Sequence, residues 1–167
     1  MTSLQIFLFG NFEILINHQK IHSDLWQSRH LRTILKLLII RRGKLIPSVQ
    51  MIEKVWPNKD PEQAAQHLYV RISQIRKILK IYGFQDCIQT VAGGYIFQLE
   101  PFFEKNEEHS IWIDVDEFEK KAAQGREYLE NKEFDQAITL FKKSNNLYRA
   151  DFLIEDLYED WPITEQN

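Results

Sequence analysis

The stretch that decides the fold is Ala65–Leu79, which reads AQHLYVRISQIRKIL. Apolar residues recur there every three or four positions, which predicts a helix with one buried stripe. The members of that stripe are Ala65, Leu68, Ile72, Ile75 and Leu79. The opposite side carries amide, imidazole and cationic groups, and no acidic residue lies between Gln63 and Lys77. Carboxylates would repel phosphate and amides can bond to base edges, so this side suits a DNA groove. An ordinary solvated face is the alternative.

The segments before this helix predict strands followed by two shorter helices. Apolar runs at Leu4–Gly10 and Phe12–Ile16 are typical of short strands, with a third strand near Ile21. Helical spacing begins at Ser28 and stops before Gly43. Pro47-Ser48 then opens a second helix that ends before Pro57.

The segment after the helix predicts a β-hairpin. Two β-prone runs, Ile88–Val91 and Tyr95–Leu99, flank the adjacent glycines Gly93 and Gly94. Paired glycines permit the positive φ angles of a tight turn, so a hairpin is expected here.

The last third of the chain predicts helices. Residues 101–112 are polar and acidic, which favours a linker. Asp114 and Glu117 have the spacing of a capping box at the start of a helix that continues to about Glu130. A second helix is expected at about 135–148, and a third from Leu153 to Trp161.

Charge divides the chain unevenly and limits its partners. Residues 1–100 hold 13 Lys and Arg against 7 Asp and Glu, a net charge of +6, whereas residues 101–167 hold 8 against 17, a net charge of −9. Only the first part suits a polyanion. Cys87 is the single cysteine, so no disulfide framework is possible. No apolar run is long enough to span a bilayer, and we expect a cytoplasmic protein with no membrane partner.

Three short motifs carry a resemblance to a known family. They are ISQIRK at Ile72–Lys77, QTVAGGY at Gln89–Tyr95 and Trp56-Pro-Asn. In this order they resemble the recognition helix, the wing and the end of the second helix of OmpR-type winged helix-turn-helix domains. The resemblance covers roughly Leu4–Leu99. It implies an α+β domain with a small N-terminal antiparallel sheet, three helices and a C-terminal β-hairpin wing.

Further motifs are similar to the Streptomyces antibiotic regulatory protein family. They are the opening LxIxLFGxF from Leu4, IDVDEF at Ile113–Phe118 and LYRADFL at Leu147–Leu153. The resemblance implies a winged-helix domain at 1–100, a linker at 101–112 and part of a bacterial transcriptional activator domain at 113–167. That last part is an all-α hairpin of tetratricopeptide type, whose pattern matches at Gly125, Tyr128, Ala137, Phe141 and Ser144.

By this resemblance, the third helix enters the major groove and the wing touches the DNA backbone. The positions that match the DNA-facing part of the family are Gln66, His67, Val70, Arg71, Ser73, Gln74, Arg76, Lys77 and Thr90. Gln66 and Gln74 could pair with adenine and Val70 could touch a thymine methyl group. Arg71, Arg76 and Lys77 are the expected phosphate ligands, and a structural ion pair is the alternative role for Arg76. Basic residues that are common in the wing are absent at Ala92 and Ile96.

The function expected is sequence-specific DNA binding by a transcriptional regulator, more specifically an activator. Double-stranded DNA is the expected partner, bound by a homo-oligomer, and RNA polymerase is a further partner that the tail would contact. The alternative is a protein-interaction adaptor whose tail binds a partner while DNA affinity is weak or lost. We expect no enzymatic activity, cofactor or metal. His18 and His22 would suit a metal only on a helix, and they fall in a predicted turn. Cys87 is predicted to be a small buried residue.

Overall fold

The computed structural model describes residues 2–26, 28–99 and 109–156. The strands are β1 (Thr2–Phe7), β2 (Glu13–Ile16), β3 (Gln19–Lys20), β4 (Ile46–Pro47), β5 (Ile88–Val91), β6 (Gly94–Phe97) and β7 (His109–Ile113). The helices are α1 (Arg29–Ile40), α2 (Ser48–Val55), α3 (Pro61–Ile81), α4 (Asp114–Glu130) and α5 (Phe134–Leu147). Short 3₁₀ turns occupy Ser23–Trp26, Gln85–Cys87 and Ile154–Asp156. The expected order of sheet, three helices, hairpin and helical tail is confirmed.

The chain forms two compact units whose limits differ from the sequence-based domain boundaries. Ile21–His109 makes up one unit. The other joins Ser3–Lys20 to the described residues from Ser110 onward, so the first strands cluster with the helical tail. Residues 101–108 of the expected linker lie outside the described residues, and 109–112 belong to strand β7 instead.

A four-stranded sheet in the order β3-β2-β1-β7 forms one layer of the second unit. β1 and β2 are antiparallel, with Leu4 opposite Ile16 and Phe7 opposite Glu13. Asn17 and His18 adopt positive φ angles between β2 and β3, as a two-residue hairpin turn requires. The Asn17 side chain accepts a hydrogen bond from the Ser3 amide at 2.8 Å. Alternate residues of β1 and β2 are buried, which gives the sheet one core face.

Asp114 joins this sheet to the helical tail. Its carboxylate accepts hydrogen bonds from the backbone amides of Leu8 (2.9 Å) and Phe9 (3.0 Å), just after β1 ends. It also accepts from the amide of Val115 at 2.8 Å. The side chain is 1% exposed, and burial raises the pKa of this carboxyl group against the opposing effect of the three amides. The capping-box interpretation is therefore wrong: Asp114 is the first helical residue, and its carboxylate satisfies amides of another segment.

Helices α4 and α5 form the expected hairpin by packing closely where their side chains are small. A Cβ atom on Gly125 would lie 2.7 Å from the Phe141 ring, so only glycine fits without displacing that ring. Ala137 is buried, and the buried Ser144 hydroxyl donates to the carbonyl oxygen of Phe118 at 3.0 Å. These contacts explain four of the five tetratricopeptide-type positions as helix-packing positions. The fifth, Tyr128, is partly exposed.

After α5 the chain returns to the first strand. The Leu153 amide donates to the Leu8 carbonyl at 2.8 Å, and the Gly10 amide donates to the Asp151 carbonyl at 3.0 Å. Phe9 makes edge contacts with the rings of Phe118 and Tyr148. Of the third tail helix expected at Leu153–Trp161, the described part contains only the turn Ile154–Asp156, and residues 157–161 lie outside the described residues.

The unit Ile21–His109 contains the three-helix core and the hairpin. Ser28 caps α1 by accepting from the Leu31 amide at 3.4 Å. A three-stranded sheet in the order β4-β6-β5 completes this unit, with Ile46 opposite Tyr95. Buried Leu35, Leu38 and Met51 are among the residues that form its core.

Candidate nucleic-acid interface

The rotation of α3 about its axis is fixed by its buried side. Asp60 caps the helix by accepting from the Gln63 amide at 3.1 Å, and Pro61 occupies its first turn. The buried residues are Ala64, Leu68, Ile72, Ile75, Ile78 and Leu79. The predicted stripe is thus confirmed except at its first member, because Ala65 is exposed and Ala64 is buried in its place.

The opposite side of α3 is an exposed surface without carboxylates. Gln66, His67, Val70 and Lys77 are all exposed, and Ser73 is half-buried. No acidic side chain occurs between Gln63 and Lys77. We call this surface the α3 face; its backbone is rigid because the other side of the helix is embedded in the core. Such a face can approach phosphates without like-charge repulsion.

Two of the candidate DNA-facing residues are hydrogen-bonded to each other. The Arg71 guanidinium donates to the Gln74 amide oxygen at 2.8 Å, and both side chains are half-buried. Gln74 therefore keeps its amide donors and one lone pair of its amide oxygen for other partners. Bidentate pairing with adenine needs a donor and an acceptor together, and the second lone pair of the Gln74 oxygen leaves both available while Arg71 holds the side chain in place.

Arg76 links α3 to the wing. Its guanidinium donates to the Ile88 carbonyl oxygen (Nη2, 2.9 Å) and to the Thr90 hydroxyl (2.8 Å). It also lies 5.9 Å from the centre of the Tyr95 ring. Arg76 thus fixes the hairpin against the helix. The exposed Thr90 hydroxyl accepts from Arg76 and retains its own proton, which it can donate to a phosphate.

Glycine is required where the wing meets β4. A Cβ atom on Gly94 would lie 2.1 Å from the carbonyl oxygen of Ile46, which is a backbone atom. Gly93 has a φ of +86° and open space around it, and its carbonyl accepts from the Ser48 amide at 2.9 Å. The Gly-Gly pair therefore sets the position of the wing against the start of α2.

Sequence reasoning missed an aromatic cluster beside the α3 face. Trp56 Nε1 donates to His30 Nδ1 at 3.2 Å, and the Trp56 ring lies 6.0 Å from that of His67. Partial burial, followed by the charges of Arg71 and Lys59, lowers the pKa of His30. A neutral His30 leaves Nδ1 free to accept from the indole. Periodicity gives no sign of this contact, since His30 and Trp56 lie 26 residues apart.

The remaining chemistry-bearing groups form no second site among the described residues. No cluster of three or more His, Cys, Asp or Glu that could hold a metal ion occurs within residues 2–26, 28–99 and 109–156. Cys87 is buried as predicted, and burial together with Asp86 raises the pKa of its thiol to about 12. Helices long and apolar enough to cross a membrane are likewise not found in the described part of the chain.

The fold and this face define a class of protein. Residues 22–97 match the family described as "Transcriptional regulatory protein, C terminal". This region is an OmpR-type winged helix-turn-helix, the DNA-binding domain of a class of transcriptional regulators that are not enzymes. The resemblance stated from the motifs is confirmed at this level.

Two known proteins show distant similarity beyond that domain. The chain is 25% identical over 135 residues to the regulatory protein DnrI of Streptomyces peucetius, covering 77% of this chain and 46% of DnrI. Its fold matches a solved structure of Mycobacterium tuberculosis EmbR in complex with a low-affinity phosphopeptide. The TM-score is 0.82 at 17% identity, and the match covers 98% of this chain and 41% of EmbR. The chain thus spans less than half the length of either relative.

Proposed function

We propose that this protein is a sequence-specific transcriptional regulator that binds duplex DNA with α3 in the major groove. The observation that carries the proposal is the α3 face, which is exposed, rigidly mounted and free of carboxylates. In this proposal Gln66, Gln74 and Val70 contact base edges, while Lys77 and Thr90 contact phosphates. His67, Arg71 and Ser73 lie on or beside the same face, and Arg76 supports it through the wing.

The proposal includes an oligomer on DNA. A single module of this kind buries about 600–1,000 Å² of surface, which is small for tight specific binding. Two copies on repeated half-sites, separated by about one turn of the DNA helix, would together bury the larger surface that tight binding needs. Duplex DNA as the partner makes the cytoplasm the proposed site of action.

We further propose that the α4–α5 hairpin contacts protein and that the regulator acts as an activator, with RNA polymerase as the partner. A groove of about 530 Å³ at this hairpin supports a protein-binding role; residues lining it include Gln124, Glu127, Tyr128, Asp135 and Lys143. The same groove favours the second candidate, an adaptor whose tail binds a partner without DNA. Binding to random duplex DNA at low salt separates the two, since an adaptor of that kind would not bind.

A binding-site selection experiment tests the assignment of roles. The wild type, Gln74→Ala and Lys77→Ala are each allowed to select from random duplexes. Loss of a base-reading amide should flatten the preference at one or two positions, whereas loss of a phosphate-binding ammonium should weaken all sequences alike. Identical preference profiles for the two variants would overturn the assignment.

A further inference from the structure

Tyr69 on α3 is an exposed aromatic residue that the packing of the protein does not explain. Its side chain is 70% exposed, the largest value among the exposed large hydrophobic side chains of the described residues. Within the described part of the chain it makes no side-chain hydrogen bond or ring contact. A tyrosine buries a large area when it finds a partner surface. Because the ring does not stabilise the fold, the reason for an exposed tyrosine here has to be sought in its position on the helix.

That position is in the uncharged half of the α3 face. Residues 63–70 contain no Lys or Arg, whereas the cations Arg71, Arg76, Lys77 and Lys80 all follow. Tyr69 is one turn from Gln66 and one turn from Ser73, next to the partly exposed Val70. In helix-turn-helix proteins the recognition helix lies in the major groove, where its exposed residues contact base edges. Phosphate binding belongs with the cations of the later turns.

The side of the helix on which Tyr69 lies is also defined. Tyr69 precedes Arg76 by seven residues, which is nearly two full turns, so both residues lie on the same side of α3. Arg76 points to the wing, where it bonds to Ile88 and Thr90. Tyr69 is consequently at the wing-side edge of the α3 face, beside the amide of Gln66 and not behind it.

We infer that Tyr69 is a specificity-determining residue whose ring packs on the methyl group of a thymine in the major groove. This inference rests on the proposed function. The C5-methyl of thymine is the apolar group that base edges offer in that groove, and apolar side chains recognise it by contact. An uncharged neighbourhood and an aromatic ring without an intramolecular partner match that chemistry. The ring of Tyr69 supplies the contact, and its hydroxyl is not required.

Deoxyuridine substitution tests the inference, because it removes only the methyl group. Each thymine of the sequence selected by the wild type is replaced in turn, and affinities are measured for wild type, Tyr69→Ala, Tyr69→Phe and Val70→Ala. At one thymine the wild type and Tyr69→Phe should lose about fourfold in affinity, as expected for one buried methyl group. Tyr69→Ala should bind both bases equally there. Val70→Ala should keep its sensitivity at that position.

Two results would overturn the inference while leaving the proposed function in place. One is a Tyr69→Ala protein that responds to every deoxyuridine as the wild type does. The other is a Tyr69→Phe protein that loses affinity for all sequences alike, which would assign the hydroxyl to phosphate. A wild type that selects no sequence at all would instead defeat the proposed function. Since Tyr69 is exposed, these substitutions should not unfold the domain.

Discussion

Gly93 and Gly94 stand next to each other in the wing, yet an added methyl group would meet different surroundings at each. At Gly93 there is open space and a positive φ, so Gly93→Ala should lower the free energy of unfolding only through backbone strain, by about 1–2 kcal/mol. At Gly94 the methyl group would overlap the backbone of Ile46, and β4 or the wing must move.

We therefore predict that Gly94→Ala lowers the free energy of unfolding by about 3 kcal/mol or more in total. This loss should exceed that of Gly93→Ala. Urea denaturation of both variants checks this. If Gly94→Ala were as stable as Gly93→Ala, the close approach of the wing to β4 would be refuted.

At the residue scale, the sequence predicts which residues lie on each side of α3 better than it predicts what their side chains contact. The carboxylate-free face follows from residue order alone, because helical periodicity assigns each position to a side. Ala64 is buried in place of Ala65 because the two neighbouring alanines are the same size, so contacts with the core and not residue type decide which one faces inward. The Arg76 contacts with the wing depend on a neighbour 12 residues away in sequence, so spacing could not identify them.

At the scale of elements, Asp114 is the contact that ties the start of α4 to the end of β1. We predict that Asp114→Ala lowers the free energy of unfolding by about 2–5 kcal/mol, because the Leu8 and Phe9 amides would remain buried without an acceptor. Glu119→Ala, at an exposed position of α4, is the matched control and should change stability by less than about 0.5 kcal/mol.

Hydrogen exchange gives this prediction a local readout. The Leu8 and Phe9 amides should exchange faster in Asp114→Ala than in Glu119→Ala. Equal protection of these two amides in both variants would show that the carboxylate is not their acceptor in solution.

The same residue shows why elements are predicted more easily than their connections. The helices and hairpin follow from local periodicity, glycines and prolines, and their bounds differ from the expected ones by only a few residues. Asp114 has the local spacing of a capping box, but two of the three amides that it bonds, those of Leu8 and Phe9, lie more than 100 residues away. Strand β7 was taken for linker because an edge strand with polar neighbours has no strong local pattern. Long-range pairing decides both cases.

At the scale of the whole molecule, the boundary between the basic and the acidic part of the sequence coincides only in part with the boundary between the two compact units. The net charge of +6 belongs to residues 1–100 and that of −9 to residues 101–167, yet the first strands cluster with the acidic tail. Lys77, the proposed phosphate-binding cation of the α3 face, lies in the unit Ile21–His109, which the family match at 22–97 also covers. The proposed DNA affinity therefore belongs to that unit, and chiefly to the α3 face.

Titration of the full chain with fluorescent duplex DNA over a series of salt concentrations tests this central claim. The variants are Gln66→Glu on the α3 face and Gln124→Glu on the exposed side of α4, which add the same charge. We predict that the wild type binds at low salt, with log K falling by about 0.9 per phosphate neutralised for each tenfold rise in salt. Gln66→Glu should weaken binding about tenfold or more, and Gln124→Glu should bind like the wild type. Binding that is absent at low salt, independent of salt or equally affected by both substitutions would contradict the account.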